Sequence, residues 1–183
     1  MSRRTEHRRR DVLGFASALL AGAAVGGCGF HPLYATGEDG GEGPAQTELA
    51  MVSVGPIPER QGQLLRQALQ TRFTRGGEST ARRFDLAVAL AVAEAGVAIQ
   101  PDTSVTFQRV TGTASWTLQS QDAGRTVLAS GAAKAVDGFN WINEQFFQAT
   151  LEEELVRRRI AESLADQITI QLADYFLKHP QSG

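Results

Sequence analysis

An α+β two-layer sandwich is the fold this chain predicts, and three observations carry it. Glu59 to Phe73 and Leu151 to Phe176 place large apolar residues three to five positions apart, the spacing of helices with one buried face. Between them, runs from Phe84 to Leu118 alternate apolar with small or polar residues, as strands with one buried face do. The turns between these runs are short, so consecutive strands pair antiparallel. The order strand, helix, three antiparallel strands, helix puts two helices on one face of a roughly four-stranded, largely antiparallel sheet.

Leu49 to Ile57 (LAMVSVGPI) reads as a short strand ended by a proline-containing turn. Leu64, Leu65, Ala68, Leu69 and Phe73 form the apolar face of the first helix, which Arg75-Gly76-Gly77 stops. Phe84, Leu86, Val88, Leu90 and Val92 share one strand face. Val97 and Ile99 have the opposite parity, so Gly96 marks a bulge at which the strand bends. After a turn at Pro101-Asp102, Val110, Gly112, Ala114, Trp116 and Leu118 take the core face, and Thr111, Thr113, Ser115 and Thr117 the water face. Gln121 to Gly124 is a hairpin turn with Gly124 suited to positive φ, and Arg125 to Asp137 is a weaker strand. Gly138 to Trp141 reads as irregular. Thr150-Leu151-Glu152-Glu153 has capping-box spacing, so the last helix is expected to begin there, with Glu152 to Glu154 at the positive end of its dipole. Leu151, Leu155, Ile160, Leu164, Ile168, Leu172 and Phe176 follow one drifting face until Lys178-His179-Pro180 stops it.

Two segments precede this domain, which is expected over residues 49–180. Arg3, Arg4, Arg8, Arg9 and Arg10 form a basic stretch, and the 14 residues Val12 to Val25 carry no charge. That is the layout of a secretory signal, assigned to residues 1–27. The run is too short to cross roughly 30 Å of hydrocarbon as a helix. Arg9-Arg10 also resembles a twin-arginine signal, and the export route stays open between that and general secretion. Residues 28–48 then read as an anchor and linker. Ala35 to Thr47 is rich in glycine and acidic residues, and such a coil has an r.m.s. reach of about 20 Å. Phe30, Leu33 and Tyr34 are too apolar for a spacer and are expected to dock on the domain or on a partner.

Composition narrows the chemistry. Without residues 1–27 the chain has 156 residues, with 13 Lys and Arg against 18 Asp and Glu, a mildly acidic balance that speaks against a nucleic-acid binder. Cys28 is the one cysteine, so no intramolecular disulfide forms. Beyond the signal the histidines are His31 and His179, neither beside a plausible nucleophile, so no catalytic residue is assigned and no enzyme is expected. Glu152, Glu153 and Glu154 cannot all point one way on a helix, and no metal site is assigned. Gly76-Gly77 follows a helix rather than preceding one, which removes the phosphate-binding loop, and no cofactor is expected. Arg109, Arg125 and Lys134 lie on or beside the central strands. They are candidates for contact with anionic lipid headgroups, or else ordinary surface charges.

Val25-Gly26-Gly27-Cys28 resembles a bacterial lipobox, in which the cysteine thiol is lipidated and becomes the first mature residue. With Cys28-Gly29-Phe30-His31-Pro32-Leu33-Tyr34 directly behind it, the chain resembles the LptE family of lipopolysaccharide-assembly lipoproteins, in its alphaproteobacterial form. The CGFHPLY stretch is the specific part; the rest matches in layout, and the long acidic-glycine linker departs from the family core. The resemblance implies a lipid on Cys28 that holds the protein in the inner leaflet of the outer membrane, on its periplasmic face. It implies the β-barrel LptD and lipopolysaccharide as partners, with the domain acting as a plug or scaffold subunit and catalysing nothing. Gly29, rather than aspartate, resembles lipoproteins sent on to the outer membrane. The alternative with the same layout is an auxiliary lipoprotein of an inner-membrane ABC-type lipid transporter.

Overall fold

A computed structural model of the protein describes residues 43–74, 81–99, 105–140 and 146–180. In chain order the elements are α1 (Pro44–Ala50), β1 (Val52–Val54), α2 (Glu59–Phe73), β2 (Phe84–Ile99), β3 (Val105–Ser120), β4 (Val127–Asn140) and α3 (Phe146–Lys178). The strands form one sheet in the order β1-β2-β3-β4. The β2–β3 and β3–β4 junctions are antiparallel, while β1 runs parallel to β2 because the chain crosses over through α2 between them. The α+β class is as expected, with three helices among the described residues instead of two.

The additional helix corrects two readings. Pro44 to Thr47, read as tether, and Leu49-Ala50, read as strand, together form α1. Pro44 stands in the first turn, where its fixed φ suits a helix start, and Ala45 and Leu49, four apart, are 4% and 1% exposed. Gln46 Nε2 donates to the carbonyls of Arg72 and Phe73 at the end of α2, both at 3.3 Å. The strand expected over Leu49 to Ile57 shrinks to Val52–Val54.

The strand parities hold. Phe84, Leu86 and Val88 are buried, with Leu90 and Val92 half-buried on the same face. Register slips between Gly96 and Ala98 and between Ala98 and Ile99, where the bulge was expected. Val110, Ala114, Trp116 and Leu118 of β3 are buried, and Ala133 and Ala135 of β4 complete that face. Two glycines leave room for core side chains. A β-carbon at Gly112 would lie 2.6 Å from Ile160 Cγ2, and one at Gly131 would lie 2.7 Å from Trp116 Cζ2. β4 continues through Asn140 with Phe139 buried, so Gly138 to Asn140 are strand, not irregular; Trp141 lies outside the described residues. In the hairpin, Ser120 N–H donates to Thr126 O at 3.0 Å and Arg125 N–H to Asp122 O at 3.1 Å. The positive φ falls on Arg125, at 43°, rather than on Gly124.

α3 begins at Phe146, so Thr150 lies inside the helix and the expected capping box does not start it. Ile160, Leu164, Ile168, Leu172 and Phe176 are buried as expected, but Leu151 and Leu155 are 67% and 53% exposed. Ala149, Val156 and Ile160 set the phase of the buried stripe, and Leu155, one residue before Val156, sits about 100° around the helix from it. α3 lies along β4 and β3, and α2 packs on α3 and β1, so the helices cover one sheet face. The turns expected at Arg75-Gly76-Gly77 and Pro101-Asp102 lie outside the described residues.

Candidate functional site

Opposite the helices, the sheet presents a face that no described element covers. Side chains alternate sides along a strand, so burying the even-numbered residues of β2 and β3 turns the odd-numbered ones outward. On β2 these are Ala87, Ala89, Ala91, Ala93 and Ala95, all exposed. They pair in register with Thr117, Ser115, Thr113, Thr111 and Arg109 of β3. On β4, Ser130, Ala132, Lys134 and Val136 continue the surface. Methyl and hydroxyl groups standing this short leave a low-relief plane that another protein wall can approach closely, with hydroxyls to satisfy polar groups it meets.

The candidates read from the sequence fall at separate places around this plane. Cys28 and the Phe30 to Tyr34 cluster lie outside the described residues. Arg109 and Lys134 are both exposed on the open face. Lys134 pairs with Thr113, four residues along β3 from Arg109, a separation of about 14 Å by strand geometry. Arg125 stands in the β3–β4 hairpin, about nine residues or 30 Å further along β4 from Lys134. The fold does not bring the three together.

The charge network that the helices make with the sheet was not legible from periodicity. Arg157 of α3 bonds Glu153 on its own helix and Glu94 of β2. Arg60 pairs with Glu154, and Arg72 Nε with Asp166 at 2.5 Å. Glu152, Glu153 and Glu154 thus face different partners, Gln148, Arg157 and Arg60. On β4, level with Glu94 across the sheet, Asp137 accepts from Arg159 Nε at 2.7 Å and from Gly138 N–H at 2.8 Å. Burial alone would raise the Asp137 pKa; the Arg159 and Gly138 hydrogen bonds and the Arg159 charge outweigh it, and the carboxyl is held below its ordinary value. The same bond raises Arg159.

Among the described residues no group of three or more His, Cys, Asp or Glu could hold a metal ion. The His179 ring stacks on Tyr175 at 4.6 Å, with Nδ1 at 3.0 Å from the Tyr175 carbonyl. Open clefts of about 330 Å³ beside Arg82, Arg83 and Asp122, and of about 250 Å³ beside Phe107, Phe139, Glu152 and Arg159, have no histidine or cysteine among their described lining residues. No described helix is long and apolar enough to cross a membrane.

No curated protein sequence matches this chain. Its fold is similar to that of a lipoprotein from Caulobacter crescentus CB15, with a TM-score of 0.60 at 15% identity, covering 74% of this chain and 98% of that one. Rare lipoprotein B from Shewanella oneidensis gives 0.53 at 12% identity, over 71% and 98%. Lipoprotein B from Nitrosomonas europaea gives 0.51 at 15%, over 72% and 90%. At these identities the likeness is one of fold. The family sequence model described as LptE, lipopolysaccharide-assembly, matches residues 49–172, from the end of α1 to the last turns of α3. The chain belongs to the LptE lipopolysaccharide-assembly family.

Proposed function

We propose that the protein is an outer-membrane lipoprotein that partners the β-barrel LptD in assembling and passing lipopolysaccharide to the outer leaflet, as a non-catalytic plug or scaffold subunit. The family match over residues 49–172 carries the reading. The lipobox-like Val25-Gly26-Gly27-Cys28 supports a lipid on Cys28 that keeps the domain on the periplasmic face of the membrane. A domain whose helices cover one sheet face and leave the other as a low plane of alanine, threonine and serine suits packing against a protein wall. Arg109 and Lys134, exposed on that face, and Arg125 at the hairpin are the cations that would meet anionic groups of lipopolysaccharide or membrane headgroups in this reading.

Depleting the protein tests the reading. The amount of correctly assembled barrel and of lipopolysaccharide at the cell surface should both fall, and unchanged levels of both would contradict it. The anchor is tested separately by Cys28→Ser, which should leave the signal uncleaved or the domain mislocalised. A variant that still fractionates as mature outer-membrane protein would remove the lipid from the account.

A further inference from the structure

Three stretches of the sheet carry backbone groups that face no neighbouring strand, and side chains cap two of them. On β1 the outward carbonyls are those of Val52 and Val54. Arg82 Nη1 donates to Val52 O and Arg66 Nε to Val54 O, both at 3.3 Å. On β4 the even-numbered residues face outward. Gln167 Nε2 donates to Lys134 O at 3.0 Å while its Oε1 accepts from Lys134 N–H at 3.4 Å, so one side-chain amide stands where the peptide of a further strand would be. One turn along α3, Gln171 Nε2 donates to Ala132 O at 3.0 Å.

The third stretch, on β2, has no such cap among the described residues. β1 reaches only Phe84, Asp85 and Leu86, and the bond from Gly55 N–H to Leu86 O at 3.0 Å closes that junction. Backbone groups alternate sides along a strand, so Val88, Leu90, Val92 and Glu94 point the same way as Leu86, into space that β1 does not reach. Their odd-numbered neighbours, Ala87 to Ala95, face β3. Among the described residues none bonds those outward groups. No helix packs closely along β2. Phe84–Ile99 contains no lysine, arginine or proline, the residues that commonly blunt an exposed edge. Its two carboxylates are engaged: Asp85 accepts from Gln121 Nε2 at 2.7 Å, and Glu94 pairs with Arg157.

We infer that the β2 edge from Val88 to Glu94 is a docking strip at which an extended segment of the protein's partner adds as a further strand. The inference rests on the proposed partnership with the barrel and names the surface it uses. The donors and acceptors left over repeat at the two-residue period of an extended chain, so an extended polypeptide is the ligand that satisfies them all. The side chains flanking the strip are small on one side, Ala89, Ala91 and Ala93, and aliphatic on the other, Leu90 and Val92. The segment that fits is therefore uncharged, with small or β-branched residues, and the proposed partnership, supported by membership in a lipopolysaccharide-assembly family, gives it to the barrel rather than to a second copy of this chain.

Residue-resolved hydrogen exchange on the full-length chain, alone and in complex with the barrel, tests this. The amides of Val88, Leu90 and Val92 should exchange fast in the free chain and about tenfold or more slower in the complex, whereas those of Ala89 and Ala91 stay slow in both. Unprotected even-numbered amides in a formed complex would overturn the docking strip alone. Failure to form any complex would overturn the partnership and the strip together. Protection that rises with concentration in the free chain would give the edge to a second copy and overturn the assignment. Val92→Pro adds a second arm, because its N–H faces outward and its loss leaves the bonds to β3 intact. A folded Val92→Pro should bind the barrel at least about tenfold more weakly, while Ala91→Pro, which breaks a bond to β3, should disrupt the sheet. Undiminished binding by folded Val92→Pro would overturn the proposal, and if that variant does not fold, exchange on the unaltered chain decides.

Discussion

Trp116 ties the sheet to the long helix through contacts of three kinds. Its ring is 5% exposed, it lies over Gly131 where no β-carbon fits, and its Nε1–H donates to Gln171 Oε1 at 2.8 Å. Trp116→Ala should cost about 3–5 kcal/mol in denaturant unfolding; a loss below about 1 kcal/mol would mean that this face is not core. Gly131→Val should cost about 1–3 kcal/mol, because the added side chain drives into the indole. In the hairpin, Arg125 holds a left-handed φ of 43° that glycine adopts freely, so Arg125→Gly should raise stability by up to about 1 kcal/mol. Asp137 supplies a pH dependence. Its folded pKa lies below the unfolded value, so its stabilising effect is present above the unfolded pKa and lost as pH falls through the folded one. Unfolding measured from pH 7 down to about pH 2 should show a shallower acid loss for Asp137→Asn than for the parent.

Among the elements, those with one buried face and a clean period were the legible ones. The buried faces of β2 and β3 were read from alternation, although β3 runs on to Val105 and Ser120 beyond the residues that showed it, and the bulge near Gly96 was read from its change of parity. α2 was legible because Leu65, Leu69 and Phe73 all turn to the core. The start of α3 was not. Leu151 and Leu155 carry core-type side chains but point to solvent, and Thr150 has cap-type spacing four residues inside the helix. α1 was hidden because seven residues are too few for a helical period, and glycine-rich sequence precedes them. The glutamines of α3 belong here too, since a polar helix position carries no mark that it will bond a strand edge. Replacing both Gln167 and Gln171 with alanine should free the Ala132 to Lys134 edge and promote concentration-dependent self-association, which sedimentation would detect. An unchanged monomer would show that the amides do not guard that edge.

For the whole molecule, the layers divide the work. The helices and their ion pairs hold one face of the sheet, which leaves, among the described residues, an uncapped stretch of β2 and a low face of alanine, threonine and serine, the surfaces proposed for contact with another protein. The candidate site was partly legible: the threonine-rich water face could be read from β3, while the anchor proposed at Cys28 rests on the sequence from Val25 to Cys28 alone. The free edge of β2 could not be read, because it depends on β1 being only three residues long. Membership in the LptE family gives the molecule its setting in lipopolysaccharide assembly. Affinity purification of the full-length chain from membranes, with its bound proteins identified, distinguishes the two partnerships. Recovery of the LptD β-barrel is the predicted result, and recovery of an inner-membrane ABC transporter complex without the barrel would contradict it.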